Sequence, residues 1–454
     1  MPGGAAPGAQ RTEAERRRKR GAPRLRIGLA LAGGGPLGAI YEVGALLALA
    51  ESLEGIDFND FDVYVGVSSG GFVAAALANG ISPTQMYRLF IDEGRDAALS
   101  PALFLRPAFA EFARRALSVP RLLASATSEF VRDPLRRGAL GSFAALGRAV
   151  PTGLFDQRAI HAFLARLFAT GGRSNDFRRL RHKLFLVATN LDTGAAVTFG
   201  EPGFEHVPID KAIAASAALP GLFPPVEIDG EHYVDGALNK TLHASVALDQ
   251  GVNLLLCVNP LVPFDANAAA RRRRLTVEKI NHGGLPLVLA QTFRAIIHSR
   301  MKTGMEKYRR QYPHADVLLF EPDREDADMF FANIFSYAHR ARLCETAYRN
   351  TRARLIGQRA TLEPLLERHG IRLHMARLAD PHRSIRAALT DPRPLFIEPP
   401  GVKTAARALQ RTLDALEGWL RRHRGERALA QRRVTAGSLL LSGAPVRRNT
   451  GPPA

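Results

Sequence analysis

With 454 residues, 46% hydrophobic and 23% charged, the chain has the apolar mass for one large domain or two ordinary ones and is not disordered throughout. Two cysteines, Cys257 in an apolar run and Cys344 in a polar helix, exclude a disulfide framework and a cysteine-based zinc site and favour a reducing compartment. Of the formal charge of +19, residues 1–26 carry +6 and residues 401–454 carry +8, so the basic ends suit an anionic phospholipid leaflet better than a nucleic-acid groove.

Residues 1–24, with Gly3, Gly4, Pro7 and the cluster Arg16-Arg17-Arg18-Lys19-Arg20, read as a flexible basic tail. That cluster and the apolar Ile27 to Ala32 imitate a signal peptide, but the run is short and ends in a glycine triplet. No apolar run reaches the ~18 to 20 residues that span a bilayer. The expected location is cytoplasmic, extending to the inner membrane surface.

Arg26 to Ala32 reads as a buried strand. Gly33-Gly34-Gly35-Pro36-Leu37-Gly38 then opens a helix through Leu49, with Gly35 as cap and Pro36 in the first turn, where its missing N–H costs nothing. A strand followed by Gly-x-Gly-x-x-Gly raises a dinucleotide site. Such a site needs an acidic residue at the carboxyl end of the next strand, whereas Asp57, Asp60 and Asp62 precede that strand and Ser68 closes it. The better reading turns the N–H groups of Gly34 and Gly35 toward an oxyanion, where one donor is worth about 10²- to 10³-fold in rate.

Asp62-Val63-Tyr64-Val65-Gly66-Val67-Ser68-Ser69-Gly70-Gly71, followed by Phe72 to Ala78, is a β-branched run passing through Gly-x-Ser-x-Gly into an alanine-rich helix. The pattern is strand, tight turn and helix, with Ser68 at the apex. Glycine is required at Gly66 and Gly70, where side chains would collide with the neighbouring strand and helix. Ser68 reads as a nucleophile backed by helix amides that favour negative charge; an ordinary strand-to-helix turn is the plain alternative.

Residues 85–150 form a helical insertion in which Phe109, Phe112 and Ala116 make a stripe and Pro107, Pro120 and Pro134 punctuate. It is either a layer packed on the sheet or a lid that opens at a lipid interface. Lys183 to Phe199 reads as a hairpin turning at Asp192-Thr193-Gly194, and a helix follows from Asp210 to Ala218. Leu219-Pro220-Gly221-Leu222-Phe223-Pro224-Pro225 is a rigid apolar loop fit to wall an acyl pocket. Two short strands around Asp229-Gly230 then deliver Asp235-Gly236-Ala237, a turn on its own and a candidate base beside Ser68.

Val252 to Val258 and Ala315 to Phe320 read as further strands, Arg271 to Arg274 as a solvated loop or helix start, and Tyr337 to Gln358 as a surface helix. Leu409, Leu413, Leu416 and Leu420 share a helical face ahead of a basic tail. The expected division is 25–345 for the catalytic domain, 346–400 for a helical extension, and 401–454 for the amphipathic helix and tail.

Taken in order, Gly33-Gly34-Gly35-Pro36-Leu37-Gly38, Gly66-Val67-Ser68-Ser69-Gly70, the Pro220 to Pro225 loop and Asp235-Gly236-Ala237 resemble the patatin-like phospholipase family. The resemblance covers roughly Leu25 to Val258 and extends more weakly to about Arg342. It implies a three-layer α/β/α fold with a mainly parallel central sheet, which here carries the helical insertion and flexible basic termini. It also implies a Ser-Asp dyad that hydrolyses fatty-acyl esters of phospholipids or lysophospholipids without metal or cofactor. By position, Ser68 is the nucleophile, Asp235 the base, and Gly33, Gly34 and Gly35 the oxyanion hole, with Gly38, Gly66, Gly70 and Gly236 supporting the motifs. Many relatives carry Arg or Lys two residues after the triplet; Leu37 stands there, so the amide donors are kept and a positive charge is lost.

An aspartate with a pKa near ~3.9 accepts a serine proton poorly, so burial beside Phe223 is expected to raise it. A Ser-Asp-His triad using His243 or His298 is the rival among hydrolases. An acyltransferase with the same dyad, and a non-catalytic lipid-surface module, are the other classes the sequence leaves open.

Overall fold

The computed structural model describes residues 25–91, 106–132, 149–273, 282, 284–326 and 337–389. Both basic tails, the amphipathic helix expected beyond residue 401, and residues 92–105 and 133–148 of the insertion lie outside these. Contacts divide the chain between Leu395 and Phe396, and every described residue belongs to the first unit.

The runs Ile27–Leu31 (β1), Val63–Val67 (β3) and Leu254–Val258 (β8) are buried at every position. Strands covered on both faces have no solvent side, which is why these runs are apolar rather than alternating. With Lys183–Asn190 (β4) and Asp316–Phe320 (β9) they form a parallel core in the order β4-β3-β1-β8-β9. Ala196–Phe199 (β5), Val226–Ile228 (β6) and Glu231–Asp235 (β7) pair antiparallel at the β4 side, completing eight strands. Leu53–Glu54 (β2) and Arg372–Leu373 (β10) make a separate two-stranded sheet.

Helices cover both faces, giving the expected three layers around a mainly parallel sheet. Gly35–Ser52 (α1), Ser69–Ala78 (α2), Pro83–Phe90 (α3) and Ile209–Ser216 (α6) pack together, with α2 and α6 on the strands. On the other face, Ala244–Asp249 (α7) and Tyr308 of Gly284–Gln311 (α9) close over Val63, Val65, Val67, Phe185 and Leu255. Phe109–Arg132 (α4) and Arg158–Phe168 (α5) precede β4, and Ala266–Arg273 (α8) follows β8. Proline punctuation fails once, because Pro120 lies inside α4, whose Phe109 and Leu117 are 73% and 79% exposed.

Three local readings change. Helix α1 starts at Gly35 with Gly34 as its cap, one residue earlier than expected. Arg271 to Arg273 lie within helix α8, five or more residues past its start, and Arg274 lies outside the described residues. Tyr337–Gly357 (α10) is not a surface helix: Leu343, Cys344, Ala347 and Tyr348 are buried, and the backbone at Cys344 comes so near α1 that a Cβ on Gly44 would sit 2.3 Å from its carbonyl oxygen. Its arginines disguise this, because Arg352 is itself buried and donates to the carbonyls of Arg377, Leu378, Asp380 and Arg383. The boundary drawn at 345/346 thus falls inside one continuous helix.

Candidate active site

Residues far apart in sequence meet because β4 serves two neighbours at one end. Val67, the last residue of β3, pairs with Val187, and the next residue of β4, Ala188, pairs with Asp235 at the end of β7. Ser68 and Asp235 therefore leave their strands side by side and line one cleft, with the Ser68 hydroxyl near enough to favour the charged form of the Asp235 carboxyl. Both are buried, at 7% and 3% exposure.

Ser68 has φ 53° and ψ −123°, a conformation that residues with a side chain rarely adopt. The turn holds it there by bringing backbone against backbone. A Cβ on Gly66 would lie 2.5 Å from Gly71 Cα, and one on Gly70 would lie 2.5 Å from the Ala32 carbonyl oxygen. The hydroxyl thus stands between the end of β3 and the first turn of α2, whose leading amides lack intrahelical acceptors.

The glycine triplet lies against this apex. A Cβ on Gly33 would be 3.0 Å from Ser68 Cβ and 3.7 Å from its Oγ, while Gly34 and Gly35 line the same cleft. Helix α1 begins there, so its positive dipole end faces the serine side of the cleft. Gly38 sits beneath Ser69, with its Cβ position 3.2 Å from Ser69 Oγ; Gly236 packs on β4, with its Cβ position 2.2 Å from the Val187 carbonyl oxygen.

Burial pushes the Asp235 carboxyl up to about 6, against the Ala237 N–H and the nearby Ser68 hydroxyl, which favour the charged form. The Ala237 N–H reaches Oδ1 at 2.8 Å and fixes the carboxylate plane. No histidine joins the pair among the described residues. His243, at φ 46°, directs Nε2 to the Gly236 carbonyl at 3.4 Å, and burial pushes its pKa down to about 4. Nδ1 of His298 lies 4.0 Å from Glu321.

The pair opens into an apolar cleft of about 320 Å³ walled by Phe72, Phe90, Phe163, Ile213, Leu222 and Phe223. The apolar loop is held in place by a second strand-like segment: Phe155 donates to the Leu222 carbonyl at 2.9 Å, and Leu154 to the Gly221 carbonyl at 3.3 Å. Sequence reasoning missed two neighbours. Ser216, fully buried on α6, accepts from the Ser68 N–H at 2.8 Å and donates to the Val187 carbonyl at 2.6 Å, tying the strained turn to β4. Arg294 of α9 enters the cleft wall, where burial pulls its pKa down to about 10. Neither carried a local signal, since each acts across more than one hundred residues of sequence or past the last recognised motif.

The sequence model of the patatin-like phospholipase family matches residues 29–248, a span that contains the triplet, Ser68 and Asp235. Residues 29–248 are a patatin-like phospholipase domain. Similar solved structures include VipD from Legionella pneumophila, at 16% identity and TM-score 0.36, covering 74% of this chain and 67% of that one. ExoU of Pseudomonas aeruginosa, solved with SpcU, is similar at 21% identity and TM-score 0.27, over 73% of this chain and 53% of that one. Human GIVD cytosolic phospholipase A2, solved with methyl gamma-linolenyl fluorophosphonate, is similar at 13% identity and TM-score 0.29, over 74% and 58%. The chain thus spans two thirds of VipD and somewhat more than half of the other two.

Proposed function

We propose that the protein is a serine hydrolase that cleaves fatty-acyl esters of phospholipids or lysophospholipids through Ser68 and Asp235. The observation that carries this reading is that β4 brings Ser68 and the buried Asp235 carboxyl together in one apolar cleft beside the glycine triplet. An aspartate raised to about 6 is a better proton acceptor than a solvated one and is still ionised at neutral pH.

In the first step Ser68 Oγ attacks the ester carbonyl as its proton passes to Asp235, and the amides of Gly33, Gly34 and Gly35 stabilise the oxyanion. The tetrahedral intermediate collapses, the leaving alkoxide takes the proton back from Asp235, and the acyl group remains on Ser68. Asp235 then removes a proton from water as that water attacks the acyl-enzyme, and collapse breaks the bond to Ser68 Oγ, which takes that proton back from Asp235 as the fatty acid leaves. The aromatic and aliphatic cleft wall suits the acyl chain, and each methylene it takes from water contributes about 0.8 kcal/mol.

A fluorophosphonate probe should label the wild-type protein and not Ser68→Ala, and purified protein should release free fatty acid from phospholipid at a rate that falls at least 10⁴-fold in that variant. Equal labelling of both proteins would reject the nucleophile. Acyl groups recovered on an added alcohol instead of as free acid would reassign the enzyme as an acyltransferase.

A further inference from the structure

The exposed stripe of α9 changes character along its length. Leu289, Phe293, Ile296, Arg300, Thr303 and Lys307 follow one another at alternating steps of four and three residues, so all six share one face. Leu289, Phe293 and Ile296 are 45%, 51% and 51% exposed. The next three are also exposed, and they end in a guanidinium, a hydroxyl and an ammonium.

Each half of the stripe borders a different cavity. Phe293 lines the mouth of the cleft that holds Ser68, and on the same rim Leu219 and Leu222 are 38% and 40% exposed. Arg300, Thr303 and Lys307 line a second cavity of about 420 Å³, whose opposite wall is the segment following Asp235, including Lys240. Lys240, Arg300 and Lys307 border this groove and no carboxylate does. Among the described residues Arg300 reaches only the Leu238 carbonyl, at 3.2 Å, and none of the three cations forms an ion pair.

Exposed apolar side chains around a cleft mouth favour a partner that removes them from water, and cations gathered without counter-charge favour an anion. One partner that satisfies both must offer hydrocarbon and negative charge at a fixed separation. Phe293 and Arg300 are seven residues apart, about 10 Å along a helix. The headgroup layer over each face of a bilayer's hydrocarbon is about 5–8 Å deep, a comparable distance.

We propose that this face of α9, with Leu219 and Leu222, docks the protein on an anionic phospholipid membrane. Its apolar half enters the acyl region, and Lys240, Arg300 and Lys307 meet the phosphate layer. The cleft mouth then faces the leaflet, so an acyl chain reaches Ser68 without crossing water. The inference deepens the lipid-hydrolase reading by placing the contact on the folded body rather than on the basic ends.

Flotation of the purified full chain with phosphatidylcholine vesicles, with and without phosphatidylglycerol, tests this. Wild type should prefer the anionic vesicles and lose that preference as salt rises. Leu289→Asp combined with Ile296→Asp, two residues outside the cleft lining, should weaken binding to both vesicle types at least tenfold. Lys240→Ala combined with Lys307→Ala should weaken binding to the anionic vesicles alone, roughly fivefold per residue. Thermal midpoints close to wild type will establish that the variants are folded. Ser68→Ala should bind vesicles like wild type, so failure of the chemistry and failure of docking are separately readable. Wild-type binding by both double variants overturns the proposal, and so does binding lost only on deletion of residues 401–454.

Discussion

The two ends of helix α1 each present a buried carboxylate environment, and the two differ in a way that separates chemistry from scaffolding. Its amino end abuts Ser68 and Asp235; its carboxyl end carries Glu51, 7% exposed against 3% for Asp235. Glu51 is surrounded by donors: Arg383 Nε lies 2.7 Å from Oε2, Arg352 Nε lies 3.7 Å from Oε1, and the Tyr348 hydroxyl also bonds Oε1. Arg377 donates to the Glu51 backbone carbonyl at 3.1 Å, so this one residue anchors α10 and the chain after it to α1. Asp235 has the Ala237 amide on Oδ1 and, among the described residues, no ion pair with a cation. The Glu51 carboxylate is instead held by ion pairs and a tyrosine hydroxyl that join two parts of the chain. A buried acid without such a pair stays near its titration point, and that makes it able to take and return a proton.

Replacing each acid with its amide should break this contrast, and the larger effect falls on activity. Asp235→Asn removes the proton acceptor and should lower kcat/KM for a soluble ester about 10³-fold or more. The same change should stabilise the fold at high pH. In the native protein the carboxyl titrates at about 6, above its unfolded value near 3.8. Its stability contribution is therefore fully present below about 3.8 and is lost as pH rises through 6, a difference of about 3 kcal/mol. Asp235→Asn should raise the thermal midpoint at pH 8 and leave it nearly unchanged at pH 4.

Glu51→Gln should do the reverse, with little effect on the chemistry and about 2–3 kcal/mol lost from stability, because Arg352 and Arg383 keep their charges beside a neutral partner. Urea unfolding monitored by circular dichroism reads this. An unchanged midpoint would mean that the junction is held by packing alone.

The pH profile sharpens the same comparison without mutation. The proposed base Asp235 acts only when ionised, so on that proposal kcat/KM should climb about tenfold per unit below pH 6 and level off above it. With no histidine in the pair and His243 held neutral, no second inflection near 6.5 should appear. Ser216→Ala gives the smallest effect. Losing the hydroxyl that joins the Ser68 N–H to the Val187 carbonyl should cost about tenfold in kcat with KM nearly constant, and Ser216→Thr should recover part of it.

Most of the fold was legible where a local rule dictates it. Apolar five-residue runs became the parallel strands, Asp229-Gly230 became a tight turn with both φ values positive, and Pro36 fell within the first turn of α1. Local motifs singled out Ser68, the glycine triplet and Asp235, since a tight turn leaves few residue types to choose from, and the structure gathers them in one cleft. What could not be read depends on distant partners. Helix α10 looked like a surface helix because its arginines hide a buried seam, and Ser216 looked like one small residue among alanines.

The strand-turn-helix that lifts Ser68, the glycine-rich opening of α1 and the apolar wall follow from local residue types alone, since each is fixed by sterics and propensity within about ten residues. It took the assembled fold to set Asp235 and Ser68 at neighbouring positions along β4 and to lay apolar and cationic side chains of α9 along one exposed stripe. These depend on strand register and burial, quantities set jointly by segments that no local pattern connects.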